Sequence, residues 1–309
     1  MRLPYGGQER NMAKSVHEGI QEYLGRLQPS PVEVENRKSH KRTIEQAMTA
    51  EFKGFNEVLV IGSHTRDTAI HIYSDVDYFA KLGIDDVTWG GSRVNSTTTL
   101  DRTKKALQAR FWRTDVRVDG PAVVVSFGQG AGAVDVVPGV WVGTTSTSPQ
   151  YPLFEIPDGA GGWLRTSPQR HAKHLRDEDE RAGGKLSRAI KLLKGWKYAR
   201  SPKVPVLGFY LELLIASEGV CVGAKSYQNC LNDAFRLLRD RAGASLNDPL
   251  GISGRIPGAN TDGQRQSLTE AARYAADKSA SALNAEVAGR IGEAFDYWKM
   301  VFNNEFPSR

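Results

Sequence analysis

The sequence predicts an α+β fold: a lobe built on a mixed sheet with flanking helices, followed by a helical-bundle lobe. Three observations predict it. The apolar pattern has helical spacing up to about residue 52, becomes β-rich from residue 57, and is almost wholly helical beyond Pro168. A Gly, Ser, Thr and Pro-rich stretch at 143–162 divides the chain. The expected division is therefore residues 1–165 and residues 166–309, with a cleft between the lobes.

The elements are read in order. Met12, Val16, Ile20 and Leu24 recur at helical spacing, and the pattern stops before Pro29-Ser30-Pro31. A second helix is expected over 32–52, carrying the basic cluster Arg37, Lys38, His40, Lys41 and Arg42. Residues 57–61 form a short strand that ends at Gly62-Ser63, and 70–79 reads as another. Leu100, Thr103, Leu107 and Phe111 lie on one face of a helix over 97–113. Strands follow at 122–127 and 133–142, then a long loop region with one short strand. Helices are expected at about 168–182, 185–200, 205–219, 226–242 and 265–305, the last as two, with a loop at 245–264.

Composition excludes several classes. The chain has 309 residues, of which 40% are hydrophobic, which is enough for a substantial core. It mixes 41 basic with 35 acidic residues, so it does not read as a disordered charged tail. Two cysteines cannot make a disulfide framework, and they suit a reducing compartment. Zinc on Cys221, Cys230, His171 and His174 is disfavoured by their spacing. The N-terminal residues lack an apolar leader, and the longest apolar stretch, 204–216, is interrupted by Pro205, Gly208 and Glu212. The expectation is a cytoplasmic protein without membrane association. A net charge of +6 suits an anionic ligand.

The chemistry concentrates in residues 61–79. Asp75 and Asp77 are two apart on a strand, so their side chains share a face, while Val76 points the other way. Two adjacent carboxylates repel unless a cation bridges them or one is protonated. A pair of Mg2+ ions, with Mn2+ as a substitute, is the usual solution, because these ions take carboxylate oxygens and keep sites open for phosphate. An isolated Asp-x-Asp is most often a solvated strand end. Here Gly62-Ser63 follows the preceding strand, where a small residue lets backbone N–H groups approach a phosphate. Asp135 lies in the Val-rich run Ala133 to Val137, where a carboxylate is costly to bury without a cation or donor. Together the three acids can hold two metals.

These residues resemble a known group. Gly62-Ser63, Asp75-Val76-Asp77 and Asp135 match the nucleotidyltransferase superfamily that includes DNA polymerase beta, poly(A) polymerase and CCA-adding enzymes. The surroundings are closer to the bacterial cGAS/DncV-like nucleotidyltransferases (CD-NTases) and the oligoadenylate synthetases. Asp135-Val136-Val137-Pro138, Leu192-Leu193-Lys194-Gly195-Trp196 and Phe209-Tyr210-Leu211-Glu212 resemble stretches of those families, as do Asn247-Asp248-Pro249 and residues 297–307. The resemblance covers nearly the whole chain. It implies a polymerase-beta-like catalytic lobe, an oligoadenylate-synthetase-like helical lobe, and synthesis of a cyclic di- or trinucleotide from NTPs, ATP among them, with loss of pyrophosphate. It also implies bacterial anti-phage (CBASS) signalling, a regulatory protein partner and a downstream effector that senses the product.

In that scheme the triphosphate lies over Gly62-Ser63, and Asp75 and Asp77 hold the metal on its β- and γ-phosphates. All three acids hold the second metal beside the attacking hydroxyl. The resemblance implies that Lys194 contacts the triphosphate. Arg66 is a candidate phosphate contact, and Phe209 or Tyr210 a candidate base-stacking surface. Glu212 reads as structural. The other cations of the 185–200 helix, Lys185, Arg188, Lys191 and Lys197, read as a solvated face. A nucleic-acid activator is disfavoured, because the zinc insertion of animal cGAS has no counterpart here. The same acids would also serve an enzyme that modifies an RNA end or a protein, and a non-catalytic nucleotide-binding module on this fold is the remaining alternative.

Overall fold

The computed structural model describes residues 13–71, 76–127 and 133–309, apart from the side chains of residues 34, 36 and 37. The helices are α1 (Val16–Arg26), α2 (Pro31–Glu51), α3 (Ser96–Arg110), α4 (Pro168–Arg181), α5 (Leu186–Tyr198), α6 (Gly208–Ser217), α7 (Tyr227–Arg241), α8 (Asp262–Val287) and α9 (Ile291–Val301). The strands are β1 (Glu57–Val60), β2 (Val76–Leu82), β3 (Thr88–Trp89), β4 (Ser92–Arg93), β5 (Asp115–Asp119), β6 (Ala122–Ser126), β7 (Ala133–Thr144), β8 (Pro152–Pro157), β9 (Trp163–Thr166), β10 (Leu246–Asn247) and β11 (Arg255–Ile256). Local chemistry sets several boundaries. Ser30 and Glu33 form a reciprocal capping box at the start of α2, with Pro31 in its first turn.

The main sheet runs β1-β2-β7-β6-β5, with β8 paired to the far half of β7 and β9 to β8. β2 and β7 run parallel and the other pairs antiparallel. The pleat gives the sheet two unlike faces. Val76, Tyr78, Ala80 and Leu82 of β2 join Val134, Val136 and Val140 of β7 in one apolar core with Ile44, Met48 and Phe52 of the α2 region and Leu100 and Leu107 of α3. The other face carries a smaller apolar cluster, Phe79, Ala122, Val137 and Phe154.

A third core fills the helical lobe, and it does not follow the linear division of the chain. Val16, Ile20, Tyr23 and Leu24 of α1 are buried in it, against residues of α5, α7 and α9. α1 thus packs as part of the helical lobe, whereas α2 packs on the sheet. The apolar stripe of α1 finds its complement there.

The sequence reading differs in other places. Ile70 is buried among the helices, and residues 70 and 71 are not strand; the described part of β2 is Val76–Leu82. β5 was not expected, although Asp115-Val116-Arg117-Val118-Asp119 alternates and leads into a turn at Gly120. The expected long loop holds β8, and β9 follows directly. No helix among the described residues is long and apolar enough to cross a membrane.

Candidate active site

Asp77 and Asp135 are directly paired in the parallel register of β2 and β7. Adjacent strands lie about 4.8 Å apart, so the two carboxylates leave the same face side by side. Both residues are half-buried, while their neighbours Val76, Tyr78, Val134 and Val136 are buried on the other face. Asp75 lies outside the described residues.

The Gly-Ser turn comes to this pair from β1. Ile61 N–H donates to the Asp77 carbonyl at 2.9 Å, extending the β1–β2 pairing by one step. The chain then makes a single 3-10 turn, Gly62–His64. Gly62 adopts φ +71, and a Cβ there would fall 1.7 Å from Asp77 Oδ2. Only glycine allows both that conformation and that approach. The turn is curled on itself: Thr65 N–H and Oγ1 both donate to the Gly62 carbonyl, at 3.2 and 3.0 Å, and Thr68 N–H donates to the Ser63 carbonyl at 2.9 Å. Ser63 is buried. Hard oxygen donors on adjacent strands, beside a backbone turn without a side chain at its first residue, fit a divalent ion such as Mg2+ with phosphate.

The segment that leaves the turn is bound to the helical lobe. Glu212 of α6 is completely buried, and it accepts hydrogen bonds from Thr68 Oγ1 and Lys194 Nζ, both at 2.6 Å, and from Arg66 Nε at 2.5 Å. Lys194 of α5 also donates to the Thr68 carbonyl at 2.9 Å. Burial alone would push the Glu212 carboxyl up, but the Arg66 and Lys194 charges beside it hold it at about 2. Burial pulls Lys194 below the usual lysine range even with Glu212 alongside. Lys191 Nζ bonds Asp67 at 2.8 Å, and His71 N–H donates to the Leu27 carbonyl at 2.8 Å, so the chain stays on the helices through residue 71.

The expected site residues therefore separate. Gly62, Ser63, Asp77 and Asp135 come together. Arg66 and Lys194 lie next to the turn, but both point into Glu212, and their side chains are only 9% and 7% exposed. Lys191 and Lys197 are also buried, which corrects their reading as part of a solvated face, whereas Arg188 is exposed as expected and Lys185 half-buried. The physical reason is that α5 packs against α1, α4, α6 and α7. Phe209 is half-buried, with the Arg66 guanidinium 5.4 Å above its ring and His171 edge-on at 5.2 Å. Tyr210 is fully buried and its hydroxyl donates to the Ala244 carbonyl at 2.8 Å, which corrects its reading as a stacking surface. The reach of Glu212 was not foreseen. Its signal is a carboxylate inside an apolar helix, which must find partners to be buried.

A second buried pair braces the helical lobe. His171 Nε2 lies 3.0 Å from Asp248 Oδ2, and the same carboxylate accepts from the N–H groups of Leu250, Ile252 and Ser253. These bonds hold Asp248 well below the usual carboxylate range against the burial that would raise it.

A mixed sheet with paired acids beside a Gly-Ser turn, backed by a helical lobe, defines a polymerase-beta-like nucleotidyltransferase. Residues 15–179, more than half of the chain, match the family model described as Second Messenger Oligonucleotide or Dinucleotide Synthetase domain. The chain belongs to that family, within the cGAS/DncV-like nucleotidyltransferases, and is an enzyme of the nucleotidyltransferase class.

A cyclic AMP-AMP-AMP synthase from an Acinetobacter strain is 25% identical over 321 aligned residues, spanning 97% of this chain and 88% of its own length. A protein of Bacillus cereus described as a probable cyclic nucleotide synthase is 24% identical over 245, spanning 77% and 70%. Among solved structures, Vibrio cholerae DncV bound to a linear pppA(3',5')pG intermediate superimposes with a TM-score of 0.71 at 12% identity, covering 96% of this chain and 98% of that one. Escherichia coli CdnC with ATP gives 0.69 at 19% identity, covering 94% and 99%. CdnC in complex with a HORMA protein gives 0.67 at 17%, covering 94% and 98%.

Proposed function

We propose that this enzyme joins NTPs, ATP among them, into a cyclic di- or trinucleotide second messenger, releasing pyrophosphate at each bond. The observation that carries the reading is the register pairing of Asp77 with Asp135, with Gly62 pressed against the Asp77 carboxylate. The naming of two relatives as cyclic nucleotide synthases supports a cyclic product.

Asp75, Asp77 and Asp135 would hold two Mg2+ ions, with Mn2+ able to substitute. Bound there, such ions neutralise phosphate charge and acidify an attacking hydroxyl. The chain supplies the rest. The Gly62-Ser63 turn receives the triphosphate, since no side chain at Gly62 keeps a ligand away from the backbone. The carboxylate of Asp135, next to Asp77, can accept the proton of the attacking hydroxyl. Arg66 and Lys194 place positive charge behind the turn, where it favours an anion. The half-buried ring of Phe209 is the candidate stacking surface for a base.

The HORMA-bound relative supports a protein regulator. Together with that partner, the product class supports a role in anti-phage signalling of the CBASS type, with an effector that senses the cyclic nucleotide. The test is incubation with labelled NTPs and Mg2+ or Mn2+, followed by phosphatase. Phosphatase-resistant label is the expected result. Label retained on RNA or on protein, or no turnover with any metal, would overturn the reading.

A further inference from the structure

The chain leaves the Gly-Ser turn at the sheet and passes to the helices through residue 71. Gly62 is fixed at the Asp77 end, while Arg66, Asp67, Thr68, Ile70 and His71 engage the helical lobe. One side chain sits at the centre of that attachment. Glu212 uses both oxygens: Oε1 takes Thr68 and Lys194, and Oε2 takes Arg66. Thr68 in turn donates its N–H to the Ser63 carbonyl. Glu212 is therefore two hydrogen bonds from the turn expected to receive the triphosphate.

We propose that Glu212 is a positioning residue for the donor nucleotide, clamping residues 66–68 onto the helical lobe so that the Gly62-Ser63 turn is shaped before substrate arrives. The proposal rests on the nucleotidyltransferase reading for its substrate, but the clamp itself is testable without turnover.

The charge pattern argues for a role beyond cohesion. Burying three charged side chains is a poor way to join two lobes, because well-packed apolar residues of similar volume do as well or better. One carboxylate between two cations leaves a net positive charge behind the turn, which suits an anionic ligand. The carboxylate also holds both cations and the backbone in one arrangement, so that little ordering remains to be done on binding. A turn shaped in advance acts mainly on nucleotide affinity. A simple loss of folded protein lowers the number of active molecules and leaves the affinity of the rest unchanged.

The experiment compares the wild type with Glu212→Gln and Thr68→Val. The first removes the charge; the second removes the two hydrogen bonds of Thr68 Oγ1, to Glu212 and from Lys194, while both cations keep their carboxylate. Hydrogen exchange is read in the free protein at the Thr65 and Thr68 amides, with Val123–Val125 of β6 as the remote control. ATP is then titrated with Mg2+ to give KM and kcat. In Glu212→Gln the two loop amides should exchange at least about tenfold faster with β6 unchanged, and KM should rise about tenfold with kcat nearly kept. Thr68→Val should shift both readouts in the same direction by a smaller factor, and it carries the test if Glu212→Gln does not fold. Equal acceleration in loop and β6, or lower kcat at unchanged KM, would overturn the clamp. If the wild type makes no product, the functional reading fails alone; the clamp then falls if loop exchange is unaltered in both variants or accelerates equally with that of β6.

Discussion

Two sets of carboxylates flank the Gly62–Thr68 segment, one carried by the sheet at Gly62 and one by the helical lobe at Arg66 and Thr68. Asp77 and Asp135 come from the sheet, half-buried, on the face that carries a small apolar cluster. Glu212 comes from the helical lobe, completely buried, with its oxygens taken by Arg66, Lys194 and Thr68. The functional group is the same. Burial decides how far each can serve as a ligand or as a brace: a half-buried acid at the sheet surface is within reach of an incoming cation, whereas one completely buried among protein cations cannot give them up without leaving charges stranded.

Substitution on the sheet side is the strongest way to break that contrast. Asp77→Asn or Asp135→Asn should cut turnover by about a thousandfold, equivalent to about 4 kcal/mol, with the melting temperature nearly unchanged. A variant that retained full turnover would remove these acids from the chemistry. Gly62→Ala comes next. Its methyl would overlap Asp77 Oδ2 and force an unfavourable backbone conformation, so activity should fall by about a hundredfold with moderate loss of stability. Normal kinetics for that variant would mean that the turn does not need its close approach.

Val136 sharpens the comparison from the opposite face. It follows Asp135 directly and is buried in the core beneath α2 and α3. Val136→Ala should cost about 2 kcal/mol of stability in urea unfolding and leave turnover per folded molecule intact. Loss of specific activity there would show that the two faces are not separable.

A further test is in pH. The folded carboxyl of Glu212 sits at about 2, below its ordinary value of 4.5. The unfolded chain therefore takes up the proton first as pH falls, and the stability contributed by Glu212 is complete above about 4.5 and lost toward about 2. The urea midpoint of the wild type should decline more steeply than that of Glu212→Gln across this window. Parallel curves would mean that Glu212 titrates alike in both states.

Much of the catalytic lobe was legible because its signals are local. The Gly-Ser turn after an apolar strand, and an acid in each of two Val-containing strands, each express a geometry set within a few residues. β5 was missed because its alternation is short and mostly polar, with only Val116 buried among its five residues. α1 was assigned to the wrong neighbours because an amphipathic stripe specifies that a face will be buried, not against what.

The sequence by itself determined which residues could carry the chemistry and the order of nearly all the elements, because side-chain period and turn chemistry act over short stretches. Only the tertiary structure decided that Asp77 faces Asp135 and that Tyr210 is core. It also decided that Lys191 and Lys194 are buried, and that Glu212 reaches back 144 residues to Thr68 and 146 to Arg66. Those outcomes depend on which surfaces meet when the lobes pack, and the cost of burying a charge is settled only by the partner that arrives from elsewhere in the chain.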